Sequence, residues 1–221
     1  MDILITAGKF LLFAFAVANI ALTLRAERDN FGFAKQVWRR FRVGMFLQCF
    51  LLLILTVVVA VPLVTYVPGL KYGWLHLFVS SGGNALIAPV TDASSSDYTL
   101  LRLVPIAFCL AFLVAIPFLA KYEEEMFRQG HTEWKSIWWQ STKFGLVHCI
   151  VGIPIGFGIA LIMSGLFYAY QYKRTFENNI DTLGYTAADE EAVIVSTTYH
   201  SMYNSIVITV LLLLSVLMVF L

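Results

Sequence analysis

Residues 100–128 read LLRLVPIAFCLAFLVAIPFLAKYEEEMFR, twenty-one almost uninterrupted apolar positions running into Lys121, Glu123, Glu124, Glu125 and Arg128. About twenty apolar residues at helical rise cross a hydrocarbon layer of ~30 Å. This stretch therefore reads as a membrane-crossing helix that ends in a cluster of charge. Three further segments meet the same criterion, at 3–24, 45–64 and 192–221. The composition agrees. Of 221 residues, 59% are apolar and 13% charged, with a mean hydropathy of +0.78, against roughly 25% charged in a soluble domain. Such a surplus cannot be hidden in one globular core. It excludes disorder, a secreted disulfide scaffold and a nucleic-acid binder.

The expected fold is all-α, a polytopic transmembrane helical bundle of about six spans. Residues 134–172 supply the fifth and sixth if the chain breaks at Gly152-Ile153-Pro154, giving helices over 134–151 and 154–171. Proline removes a backbone donor and clashes with the preceding turn, which favours the break. One helix over 143–170 would leave five spans. Gly152, Gly156, Gly158 and Gly165 also suit close helix packing. Residues 1–98 are expected to form two N-terminal transmembrane helices with a basic cytoplasmic loop and an outer loop, and 99–221 the helical core that carries the clustered polar residues.

Charge sets the orientation. The loop 25–43 carries Arg25, Arg28, Lys35, Arg39, Arg40 and Arg42 against Glu27 and Asp29, so it is placed in the cytoplasm and both termini outside. The 68–97 loop then lies outside, and its apolar part 74–90, broken by Gly82-Gly83-Asn84, reads as a re-entrant or interfacial piece. Segment 3–24 is too long for a signal-peptide core and lacks a basic leader, so it is expected to be retained. Cys49, Cys109 and Cys149 are odd in number, lie in apolar runs and read as buried hydrophobes. Lys9 and Arg102, near span ends, can snorkel to the interface.

Ionisable groups in or beside spans are costly and mark function. Three pairs of positions stand out. Glu124 and Arg128 are at i and i+4, and an exposed pair of that kind contributes only about 0.3–0.5 kcal/mol, too little to explain its presence. Acidic residues at a helix C-terminus also oppose the macrodipole. Phe144 and His148 share a helix face, as do His200 and Asn204. Singly, each could be helix glue worth roughly 0.6–2 kcal/mol. Together they supply a carboxylate base, a second proton-transfer group and two donors, an inventory for adding water to a carbonyl.

The ordered set Glu123-Glu124-x-x-x-Arg128, Phe144-x-x-x-His148 and His200-x-x-x-Asn204 resembles the CPBP intramembrane proteases. That family includes the prenyl-protein endopeptidases of CAAX proteins and bacterial relatives linked to bacteriocin processing and immunity. Only one register fits, since starting at Glu124 would put Gln129 in the arginine slot. The resemblance implies a glutamate-dependent intramembrane endopeptidase acting on a peptide or membrane-protein substrate, without a cofactor. Glu123 would be the general base on water, and His148 would orient that water or protonate the leaving amine. His200 and Asn204 would hold the oxyanion, Glu124 and Arg128 would support, and Phe144 would pack.

Two alternatives stay open. Glu123, Glu124, His148 and His200 could bind zinc, although His-Glu-x-x-His is absent. A non-proteolytic scaffold or immunity partner could use the same residues structurally. A transporter is disfavoured, because no inverted repeat is visible. The protease reading makes a geometric demand. Counted at helical rise, the histidines fall roughly 15–20 Å from the starts of their segments, whereas Glu123 follows the end of its own. Either the helix after Ala120 stays submerged, or the other helices begin outside the lipid. The polar stretch 170–189 is expected to be a solvated connector.

Overall fold

A computed structural model describes residues 2–73 and 99–220. The 74–90 piece lies outside them, as do the side chains of Lys9 and Arg102. The described residues form a helical bundle of seven α-helices with two short 3-10 turns. These are α1 (Asp2–Ala26), α2 (Phe31–Arg39), α3 (Val43–Tyr66), α4 (Thr99–Phe127), α5 (Trp134–Val147), α6 (Ile155–Leu183) and α7 (Tyr185–Phe220). Four stretches are long and apolar enough to cross a membrane: Val43–Tyr66, Leu103–Phe127, Ile155–Leu183 and Tyr185–Leu217. The protein is thus read as an integral membrane protein. Pro62 in α3 and Pro105 and Pro117 in α4 sit inside helices. Where water cannot take up backbone groups, the helix persists around such residues.

The chain does break after α5. Gly152 takes φ 89°, its N–H donates to the Cys149 carbonyl at 3.1 Å, and Pro154 starts the next helix at its cap. Positive φ is available to glycine at no steric cost. A single helix over 143–170 is therefore not what forms. At ~1.5 Å per residue, the fourteen residues of α5 reach only about 21 Å, less than a crossing.

Two boundaries differ from expectation. The stretch 170–189 is no connector: α6 runs through it to Leu183, turns at Gly184 (φ 76°), and α7 begins at Tyr185. Its polar residues sit at helical spacing, with Lys173 paired to Glu177 and the Asn179 amide donating to the Thr175 carbonyl. They lie on a continuing helix surface. Likewise α4 continues through Phe127, seven residues past Ala120, and α7 starts seven residues before Ala192. Cys49 and Cys109 are buried, while Cys149 is partly so.

Glycine sets the spacing of α5 and α6. A Cβ on Gly145 would strike the Gly158 carbonyl oxygen and lie 2.9 Å from the Ile162 nitrogen, both backbone atoms. Gly145→Ala is expected to destabilise the bundle by about 1–3 kcal/mol through overpacking, read as a lower midpoint of thermal unfolding in detergent. Gly130→Ala, with open space around it but φ 75°, separates backbone strain from helix crowding in the same assay.

A polar tie joins the α1–α2 turn to α4. Tyr122 Oη donates to Glu27 Oε1 at 2.6 Å, and the Asn30 amide donates to Glu27 Oε2 at 3.0 Å. The Tyr122 bond chiefly, against the effect of burial, holds the Glu27 carboxyl below its ordinary value, with help from Asn30 and Lys121. A depressed carboxyl adds stability that is complete above its unfolded value of ~4.3 and is lost as pH falls through the folded one. Tyr122→Phe should accordingly make stability fall less steeply with acid in that window, as measured by unfolding at stepped pH.

Candidate functional site

The site is part of the main core. Phe144 and Tyr168 belong to the apolar cluster that also holds Cys49, Leu52, Phe127 and Met202. Phe144 is fixed there by a missing side chain opposite. On α6, a Cβ at Gly165 would come within 3.1 Å of Phe144 Cδ1 and of the Ser141 backbone. The absence of that atom lets α5 press its aromatic ring into the space between α4, α6 and α7.

Around this ring the charged groups assemble. The Arg128 guanidinium lies over the Phe144 face, 4.1 Å from the centroid, with both residues almost wholly buried. Cation and ring quadrupole attract, more strongly when desolvated. Arg128 Nε is 3.4 Å from Glu124 Oε2, an ion pair without hydrogen-bond geometry. Glu124 in turn faces His200 across helices, with Oε1 2.9 Å from Nδ1. An ionised Glu124 can only accept, so His200 donates its Nδ1–H. The imidazole's other nitrogen, Nε2, then points to Glu123, 3.7 Å from Oε2. Arginine, carboxylate, imidazole and carboxylate form a line of alternating partners. Three of them are hidden, and the last, Glu123, has a side chain 37% exposed.

The structure brings Glu123, Glu124, Arg128, Phe144 and His200 into contact across seventy-six positions of sequence. His148 joins through Phe144, its ring 4.8 Å from that ring and its Nδ1 2.7 Å from the Phe144 carbonyl oxygen, to which it donates. With Nδ1 so engaged, Nε2 is the nitrogen left for proton transfer. Asn204 stands one turn beyond His200 on α7, half-buried. Its amide makes no hydrogen bond to the cluster among the described residues. Glu125 turns away and pairs with Lys121 at 3.6 Å.

No protein-family model, curated protein or solved structure matches the chain.

The helix boundaries bring Glu123, Glu124 and His200 to one level of the bundle. Because α4 runs on to Phe127, Glu123 and Glu124 are inside the helix rather than past its end. Because α7 begins at Tyr185, its first polar turns precede the apolar part. Cys49 Sγ donates to the Tyr199 carbonyl at 3.4 Å, so His200 is level with a point six residues, ~9 Å at helical rise, inside α3.

Tyr168 was not singled out by its sequence context. Its ring stacks on the His200 imidazole at 4.6 Å and 16°, fixing the plane that Nδ1 and Nε2 share. The available signal was its place three residues after Gly165, on the face of α6 that the glycine opens. Of the four residues weighed for zinc, Glu124 is engaged by Arg128 and His200.

Proposed function

We propose that the chain is an intramembrane endopeptidase in which Glu123 activates water for attack on a peptide carbonyl. The observation that carries this reading is the His200 ring held between two carboxylates: the buried Glu124 on Nδ1, and the half-exposed Glu123 facing Nε2. Glu124 and Arg128 support the imidazole, leaving Glu123 as the acid that meets the outside.

In this mechanism Glu123 takes a proton from water as the oxygen bonds to the carbonyl carbon. The negative charge that develops on the carbonyl oxygen is held by donors from His200 and Asn204, a contribution of about 3–4 kcal/mol per well-placed donor. The His200 role requires a proton on Nε2 in addition to the one given to Glu124. As the tetrahedral adduct collapses, the C–N bond breaks and the proton held by Glu123 passes, with His148 as relay, to the leaving amine. The net change is one water added across one peptide bond. The accompanying topology has six membrane segments, α1 and α5 lengthened by the 3-10 turn His148–Val151 completing the four long helices, with both termini outside and 25–43 cytoplasmic. The basic excess of that loop supports it.

The test is cleavage of a membrane-anchored fluorogenic peptide library by the full chain in lipid nanodiscs, with products identified by mass. Endoproteolytic products that persist after chelation, without stoichiometric metal, are expected. Activity lost in step with metal would move the assignment to a zinc hydrolase. No cleavage by a folded protein would favour the scaffold reading, which draws on the burial of Glu124, Arg128 and His200.

A further inference from the structure

Away from the charged cluster, α2 carries a groove that the protease reading does not use. Ala34 and Val37 turn inward and are buried. Phe31 and Trp38 line the outer side, together with Leu113 and Val114 of α4, bounding an open groove of about 660 Å³. That volume is within the range of small-molecule sites. Lys35 and Arg39 also line this groove, one turn apart and both exposed, with no acidic side chain among the lining residues. Neither cation has an ion-pair partner among the described residues, whereas the neighbouring Arg40 is held by Glu191 at 2.6 Å and 2.9 Å.

The polarity of the groove has a direction. Phe31 packs edge-on against Phe118 at 5.6 Å, which sets the start of α2 beside the apolar part of α4. Arg40, just past the end of α2, reaches the first turns of α7. The cations are thus nearer the polar end of the bundle, and Leu113 and Val114 extend the apolar wall along α4 away from Glu123. A cationic mouth above an apolar trough on a membrane-crossing helix matches a phosphate head with an acyl chain below it. We propose that this groove binds one anionic glycerophospholipid, its headgroup on Lys35 and Arg39 and one chain against Trp38, Leu113 and Val114.

The experiment uses the full chain in phosphatidylcholine vesicles doped with chain-brominated lipid, either phosphatidylglycerol or phosphatidylcholine at equal fraction. The chain has five tryptophans, so quenching at the groove is read as the difference between wild type and Trp38→Phe. The expected result is a Trp38-dependent component quenched by the anionic lipid at roughly ten-fold lower fraction than by the zwitterionic one. Lys35→Gln/Arg39→Gln should bring the two lipids to parity, and each single change should go part of the way. Equal quenching of wild type by both lipids overturns the proposal, as does an unchanged preference in the double variant. Protection of Trp38 by concentration-dependent dimerisation in phosphatidylcholine alone would also overturn it, giving the groove to a second copy of the chain.

Discussion

Glu123→Gln is expected to abolish peptide cleavage while leaving the bundle folded. Loss of a positioned general base costs typically 10²–10⁴-fold in rate, so the residual turnover should fall to about a thousandth or below. The amide keeps the size of the carboxylate and can still face His200, now donating or accepting. The Glu123 side chain is partly exposed and has no short hydrogen bond to lose, so the unfolding midpoint should barely move. Cleavage rate and thermal unfolding, measured on the same preparation, separate the two effects. Undiminished turnover in this variant would end the assignment of Glu123 as base, and an inactive but unfolded variant would contradict the peripheral place given to it here.

Arg128→Ala is expected to act in the opposite sense, on stability first. Arg128 and Glu124 are 1% and 0% exposed at their side chains. Removing the guanidinium leaves the Glu124 carboxylate buried with His200 alone, and breaking a buried pair in this way costs about 3–5 kcal/mol. The cation over the Phe144 face is lost at the same time. Replacing both partners, as in Glu124→Met with Arg128→Met, should recover much of that stability, since no uncompensated charge remains. It should not recover cleavage, because His200 Nδ1 then has no acceptor to fix its tautomer. Chemical denaturation in detergent reads the first effect and the peptide assay reads the second. A double variant no more stable than Arg128→Ala would show that packing, rather than charge, governs this corner of the core.

Much of the bundle was legible from local pattern. The runs at 45–64 and 100–120 needed only a count of apolar residues, and Gly152 with Pro154 announced the break that the backbone makes. The pairing of Glu124 with Arg128 followed from spacing alone. What could not be read locally was how far helices persist beyond their apolar cores. Three consecutive glutamates after Ala120 look like a helix end, because acidic groups there oppose the dipole. They remain helical, with Glu124 accepting a hydrogen bond from the His200 imidazole of α7, a partner seventy-six residues away, and Glu125 paired to Lys121. In the same way, 170–189 reads as a connector by composition, although Lys173 and Glu177 at i and i+4 carried a helical signature. Tyr168 illustrates the same limit. An aromatic residue in an apolar helix gives no sign that its ring will lie flat on a histidine.

The end of α4 is fastened to α7 at two heights. Beyond the Glu124–His200 bond, the Gln129 amide donates to Asp189 Oδ2 at 2.8 Å, and the Tyr172 hydroxyl, which itself accepts from the Gly130 N–H, donates to the other oxygen of Asp189. A rod gripped at one point can still roll about its long axis, whereas a rod gripped at two cannot. The azimuth of α4 is thereby locked, and with it the compass bearing of Glu123, which no direct bond of its own secures.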